Sequence, residues 1–229
     1  MQKNAGFPSS TLQPRFLPDT LFNHKSIAMN NDILSLPGYR LCEYLLVLHP
    51  HEELRNKIMD IKKEFAKKFE APSAEWGKPY IPLVKFTQLQ LMEERIVNRF
   101  KMIAMAMPAF KVELKDFGSF PSHTIYINVD TKAAIQMLVK SLKPAQSLLK
   151  TKEQKPSFID TPNIAIARKL LPWQYEKGWL EYSNRHFTGR FIARNILLLR
   201  RPEGLKSYQP VQQFEFMNMP VVTTQGQLF

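Results

Sequence analysis

The chain has 229 residues, 44% of them hydrophobic and 11% aromatic, enough to bury the core of one large domain or two small lobes. No apolar run approaches the roughly 20 residues that cross a bilayer. The polar start Met1-Gln2-Lys3-Asn4 is not followed by the apolar stretch of a secretory signal, so a cytoplasmic protein without a membrane partner is expected. With 32 Lys plus Arg against 20 Asp plus Glu, the net charge of +12 attracts polyanions such as RNA, DNA, nucleotides or acidic membrane surfaces.

Residues 1–37 are rich in Ser, Asn, Gln and Pro and show no apolar period, which predicts an N-terminal extension outside the core; Leu21-Phe22 and Ile33-Leu34 are its docking candidates. The folded domain is placed at 38–217 and a loose tail at 218–229. Leu41 to Leu48 reads as a buried strand containing the single Cys42, a small hydrophobe there. A helix follows, with Leu54, Ile58, Ile61, Phe65 and Phe69 on its core stripe and Lys62-Lys63 and Lys67-Lys68 on its outer face. A strand is predicted from Tyr80 to Leu91, then a helix from near Glu93 that Pro108 stops. Strands at 110–117 and 123–129 lead to Asp130-Thr131, a helix cap before the helix of Ile135, Leu138 and Leu142. A loop at 143–157, a second frame strand, a short helix from Pro172 to Gly178, one long strand from Phe191 to Leu199 and a last strand at Gln213–Phe216 complete the domain.

Two stretches repeat. Lys78-Pro79-Tyr80-Ile81-Pro82-Leu83 and Thr161-Pro162-Asn163-Ile164-Ala165-Ile166 share the frame x-Pro-x-Ile-small-aliphatic, and Leu46-Val47-Leu48-His49-Pro50 is echoed by Tyr126-Ile127-Asn128-Val129-Asp130-Thr131. The order strand, helix, frame strand, repeated once, resembles the two-histidine (2H) phosphoesterase or 2′-5′ RNA ligase-like superfamily. Further matching pieces are Phe117-Gly118-Ser119-Phe120-Pro121 leading into Thr124 to Val129, Ile166-Ala167-Arg168-Lys169-Leu170, and Leu197-Leu198-Leu199-Arg200-Arg201.

The resemblance implies an α+β, bilobal duplicated fold: two antiparallel sheets facing each other across a basic cleft, with helices outside; no cofactor and a monomer are the accompanying expectations. The resemblance also implies one His-x-Thr from each lobe, with one histidine as general base and the other as general acid at a cyclic or 2′-5′ phosphodiester. Here the histidine positions hold Tyr80 and Asn163, and the threonine positions hold Pro82 and Ala165. A phenol titrates near 10 and an amide not at all, so neither replaces a histidine at neutral pH. A rival alignment places Lys85-Phe86-Thr87 in the first slot and recovers a threonine, but it breaks the shared Pro register and restores no histidine.

Because residues i and i+2 of a strand face the same side, Tyr80, Pro82, Asn163 and Ala165 should face the cleft, and Lys78 with them. The same alternation turns Lys85 and Arg168 away, so they rank behind Lys78 as ligand contacts. His123, at the entry of a central strand, either lines the cleft or is a structural histidine. Three functions fit these residues. The leading one is a non-catalytic relative whose cleft binds a nucleotide, an RNA end or another phosphate-bearing ligand through Lys78, Tyr80 and Asn163. The others are an enzyme with rewired catalysis through His123 or a lysine, and an interaction protein whose cleft is filled by Tyr80 or by its own extension.

Overall fold

The computed structural model describes residues 38–219, so the expectations for the extension at 1–37 and for 220–229 of the tail lie outside the described residues. Within them, nine strands form two antiparallel sheets. The first sheet has the order β5 (Ser157–Phe158), β2 (Ile81–Leu89), β1 (Leu41–Leu48), β8 (Asn195–Pro202), β9 (Gln209–Glu215). The second has β6 (Asn163–Arg168), β4 (Thr124–Val129), β3 (Phe110–Phe120), β7 (Thr188–Ala193). No helix among the described residues is long and apolar enough to cross a membrane.

Each lobe draws on both halves of the chain. Helix α1 (Glu52–Lys68) leaves β1 of the first sheet but packs on β6 and β7 of the second. Helix α3 (Lys132–Leu142) leaves β4 of the second sheet and packs on β2 of the first. Helices α2 (Glu93–Ala106) and α5 (Pro172–Tyr182) cover β9 and β4 respectively, and the short α4 (Gln146–Leu149) lies against β2. The exchange of α1 and α3 interlocks the lobes, because neither sheet can be covered without a helix from the other repeat.

The stripe predicted for α1 is buried as Leu54, Ile58, Ile61 and Phe65, and Glu52, Glu53, Lys67 and Lys68 complement the helix dipole at its two ends. Lys62 departs from that reading. It is buried at 5% exposure, and its Nζ donates to the carbonyls of Trp76 (2.9 Å) and Gly77 (2.8 Å). Phe65 and Phe69 join Tyr182, Phe117 and Phe187 in an aromatic cluster between α1, α5 and the second sheet, with neighbouring centroids 4.6 to 6.3 Å apart.

Three further expectations change. The apolar run 191–199 is two strands in different sheets: Phe191 and Ala193 are buried in β7, and the buried phase then slips by one residue to Ile196 and Leu198 in β8. Thr131 does not cap α3; its Oγ1 accepts the Glu113 amide at 3.0 Å and ties the helix start to β3 instead. Helix α5 does not stop at Gly178 but continues to Tyr182, with Gln174, Gly178 and Tyr182 on its buried face.

A Cβ on Gly178 would lie 2.8 Å from two ring atoms of Phe65 and 3.2 Å from Ile125 Cδ1. The expected cost of Gly178→Ala is therefore about 1–3 kcal/mol of overpacking, which outweighs the roughly 1 kcal/mol that alanine adds to helix propensity. Urea unfolding of Gly178→Ala, Phe65→Leu and the double variant tests the contact. The double variant should lose less than the sum of the singles, since the smaller side chain makes room for the methyl; strict additivity would show that the two do not touch.

Candidate functional site

Both frames are built with the same irregularity. In the β1–β2 ladder Leu46 faces Val84 and Val47 faces Pro82, so Leu83 is an extra residue. In the β4–β6 ladder Ile125 faces Ala167 and Tyr126 faces Ala165, so Ile166 is the extra residue. A bulge of this kind shifts the side-chain alternation by one position. Counted from Tyr80 and from Asn163, positions one, three and six therefore share one side of their sheet: Tyr80, Pro82 and Lys85 in the first, Asn163, Ala165 and Arg168 in the second. Ile81, Leu83, Ile164 and Ile166 fill the core on the opposite side, each at most 1% exposed. Uninterrupted alternation turns Lys85 and Arg168 away; the bulges correct that expectation.

The cleft has a volume of about 620 Å³. Glu43, Leu45, Tyr80, Pro82, Lys85, Arg201 and Tyr208 line it on the side of the first sheet, Phe158 to Thr161 close one end, and Phe120, Thr124, Asn163 and Arg168 come from the second sheet. Three cations, Lys85, Arg168 and Arg201, stand there against two carboxylates, Glu43 and Asp160. Ala165 and Lys78 open instead on a side pocket of about 110 Å³ that shares Tyr80 and Arg168 with the cleft. His123 is not among the lining residues. It lies exposed in the β3–β4 turn, where its Nδ1 donates to the Pro121 carbonyl at 3.0 Å.

Glu43 organises the charges. Lys85 Nζ lies 2.6 Å from its Oε2, Arg201 donates to Oε1 at 2.6 Å, and the Tyr208 hydroxyl donates to the same Oε1. The Arg201 guanidinium also lies over the Tyr208 ring, 5.0 Å from its centroid. Burial works to raise the Glu43 carboxyl, but the hydrogen bonds from Lys85 and Tyr208 and the charges of Lys85 and Arg201 hold it below the ordinary carboxylate range. None of Glu43, Arg201 and Tyr208 stands out in the sequence as a cleft residue, apart from the hint of a lone acid within the apolar run Leu41 to Leu48. Arg200, one residue along, faces away and pairs with Glu93 at 2.9 Å under α2.

The frame positions differ in what they leave free. The Tyr80 hydroxyl makes no hydrogen bond to the described residues. Burial raises its pKa, Glu43 adds to the rise, and Arg168 and Arg201 oppose it, so it is a neutral donor at pH 7. Asn163, buried at 7% exposure, uses one amide proton on the Thr161 carbonyl at 2.9 Å and keeps the other. Arg168 is exposed and forms no ion pair among the described residues.

Replacing Glu43 with Gln should leave Lys85 and Arg201 without their counter-ion. Glu43 titrates lower folded than unfolded, so its stabilisation is present above the unfolded carboxylate pKa and is lost as pH falls through the folded value. The expected cost of Glu43→Gln at pH 7 is roughly 1–3 kcal/mol, shrinking towards zero in acid; denaturation of both proteins between neutral pH and pH ~2.5 measures it. A difference that does not depend on pH would show that the carboxylate is not tied to these cations.

The model of the 2′-5′ RNA ligase superfamily matches residues 50–205. Among solved structures, Escherichia coli LigT complexed with 3′-AMP is 13% identical and aligns with a TM-score of 0.53 over 77% of this chain and 98% of its own. TT0787 of Thermus thermophilus is 15% identical, with a TM-score of 0.54 over 76% of this chain and 98% of its own. At such identities it is the fold that is shared. No curated protein sequence matches. With two antiparallel sheets facing across a cleft, duplicated frame strands and a family match over most of its length, the chain belongs to the 2′-5′ RNA ligase superfamily.

Proposed function

We propose that this chain is a non-catalytic member of the superfamily whose cleft binds the phosphate end of a nucleotide or RNA. The observation that carries the reading is Arg168, a cation turned into the cleft by the Ile166 bulge and left without an ion-pair partner among the described residues. Lys85 and Arg201 already share the Glu43 carboxylate as an ion-pair partner, whereas Arg168 has none among the described residues, so an incoming phosphate gains most from Arg168, with the Tyr80 hydroxyl and the free Asn163 amide proton as neutral donors beside it. Phe158, Tyr80 and Tyr208 give the cleft aromatic walls, and its volume lies within the range that holds a small ligand. The relative LigT has been solved with 3′-AMP, a ligand of this kind.

The absence of turnover follows from the groups at the frame positions. Acid–base catalysis of phosphodiester cleavage needs groups that exchange protons near neutral pH and contributes ~10²–10⁴-fold for each positioned group. A phenol pushed above its ordinary value and an amide do neither. Rewired catalysis through His123 has no geometric support, since that imidazole is exposed outside the cleft lining and bonded to its own turn.

Titration with 3′-AMP at two ionic strengths, alongside an assay on 2′,3′-cyclic nucleotides, tests both halves of the reading. Binding should weaken as salt rises, and Arg168→Ala should reduce affinity about tenfold or more. Turnover on the order of 1 s⁻¹ would refute the non-catalytic assignment. Equal affinity of wild type and Arg168→Ala would remove the cleft as the site.

A further inference from the structure

The side pocket beside the cleft is distinguished by its charge. Lys62, Lys78 and Arg168 line it, and no carboxylate does, whereas the main cleft sets two carboxylates against its three cations. Uncompensated positive charge is therefore concentrated on the side pocket. At about 110 Å³ it is too small for a nucleoside, since cavities that enclose small ligands run from roughly 300 Å³ upward. A phosphate group fits it. Through Tyr80 and Arg168 it is continuous with the cleft, so a phosphate there can belong to a chain whose end lies in the cleft.

The rim of this pocket carries Trp76, 74% exposed. An indole left so open in water gains little for the fold, yet the backbone beneath it is held firmly. The Trp76 amide donates to the Ser73 carbonyl at 3.2 Å, and the buried Lys62 ammonium donates to the carbonyls of Trp76 and Gly77. Gly77, with φ of +77°, turns the chain back towards Lys78 and the frame strand. A buried lysine is costly to keep charged, and here burial, reinforced by Arg168, lowers its pKa to about 8, so it remains a cation at pH 7. Its two hydrogen bonds pin the turn that presents the indole. An exposed aromatic on a pinned turn beside a patch of cations is the combination that binds single strands without reading sequence: the base stacks, and the backbone phosphate meets the cations.

We infer that the Trp76–Lys78 turn forms a second nucleotide subsite, which takes the nucleotide next to the one in the cleft, so that the ligand is a single-stranded oligonucleotide rather than a mononucleotide. The neighbouring base stacks on Trp76, and the phosphate joining the two nucleotides sits between Lys78 and Arg168. Lys62 is a positioning residue that holds the turn. This assignment rests on the cleft reading above, and the two fail in different ways.

The test compares a mononucleotide, uridine 3′-monophosphate, with a uridine tetranucleotide carrying a 3′-phosphate, on wild type, Trp76→Ala, Trp76→Phe and Lys78→Ala. Wild type should bind the tetranucleotide about tenfold more tightly than the mononucleotide. Trp76→Ala should lose most of that gain with mononucleotide affinity unchanged, and Trp76→Phe should keep most of it. Lys78→Ala should flatten the salt dependence of tetranucleotide binding by about one phosphate contact. The matched deoxyribose tetranucleotide should bind comparably, because neither the indole nor the ammonium reads a 2′-hydroxyl; a ribose preference above about tenfold overturns this mode of recognition. Equal affinity for the two lengths overturns the second subsite and leaves the cleft reading standing. Absence of binding for both overturns both.

Discussion

The site depends on one extra residue in each frame strand. Leu83 and Ile166 interrupt the alternation of β2 and β6 at the same offset, three residues after Tyr80 and Asn163. An unbroken strand would carry Lys85 and Arg168 to the face covered by helices, where an unpaired cation costs several kcal/mol. With the bulges, both point into the cleft while the aliphatic residues around them stay in the core. The repeated offset also shows that the two frames are copies of one device, although one presents Tyr and Lys and the other Asn and Arg.

Glu43 then divides these cations into two kinds. Lys85 and Arg201 are held by its carboxylate, which also accepts from Tyr208; this orders that wall of the cleft and cancels one of its two positive charges. Arg168 on the opposite wall has no such partner among the described residues. A cleft lined by three cations and two carboxylates attracts an anion weakly as a whole and strongly at one point. The net charge of +12 is therefore a poor guide to the site. Several of the basic residues it counts serve the fold, Arg200 against Glu93, Arg185 against Glu64 and Lys62 under the Trp76 turn.

Family and fold class were legible because they rest on local patterns: the x-Pro-x-Ile frame, the apolar stripe of α1, and the order of strand and helix; of the frame positions, Tyr80, Pro82 and Asn163 line the cleft, while Ala165 opens on the side pocket. The exchange of α1 and α3 between lobes was not legible, since an apolar stripe states that a helix is buried and not against which sheet. The bulges were invisible for a related reason. Leu83 and Val84, like Ile166 and Ala167, are consecutive buried apolar residues, and such a pair reads as an ordinary buried strand until its partner strand is known. The slip between Ala193 and Ile196 hid two strands within one apolar run in the same way. Glu43, Arg201 and Tyr208 meet only through the pairing of β1 with β8 and the chain that follows β8, contacts that span more than 150 residues of sequence.

The most direct measurement is a crystal structure of the protein with 3′-AMP. The account requires the phosphate at hydrogen-bonding distance, ~3 Å, from the Arg168 guanidinium and facing the Tyr80 hydroxyl, with the Glu43 pairs to Lys85 and Arg201 intact. A phosphate held instead by Lys85 and Arg201 with Glu43 displaced, or one bound outside the cleft, would contradict it.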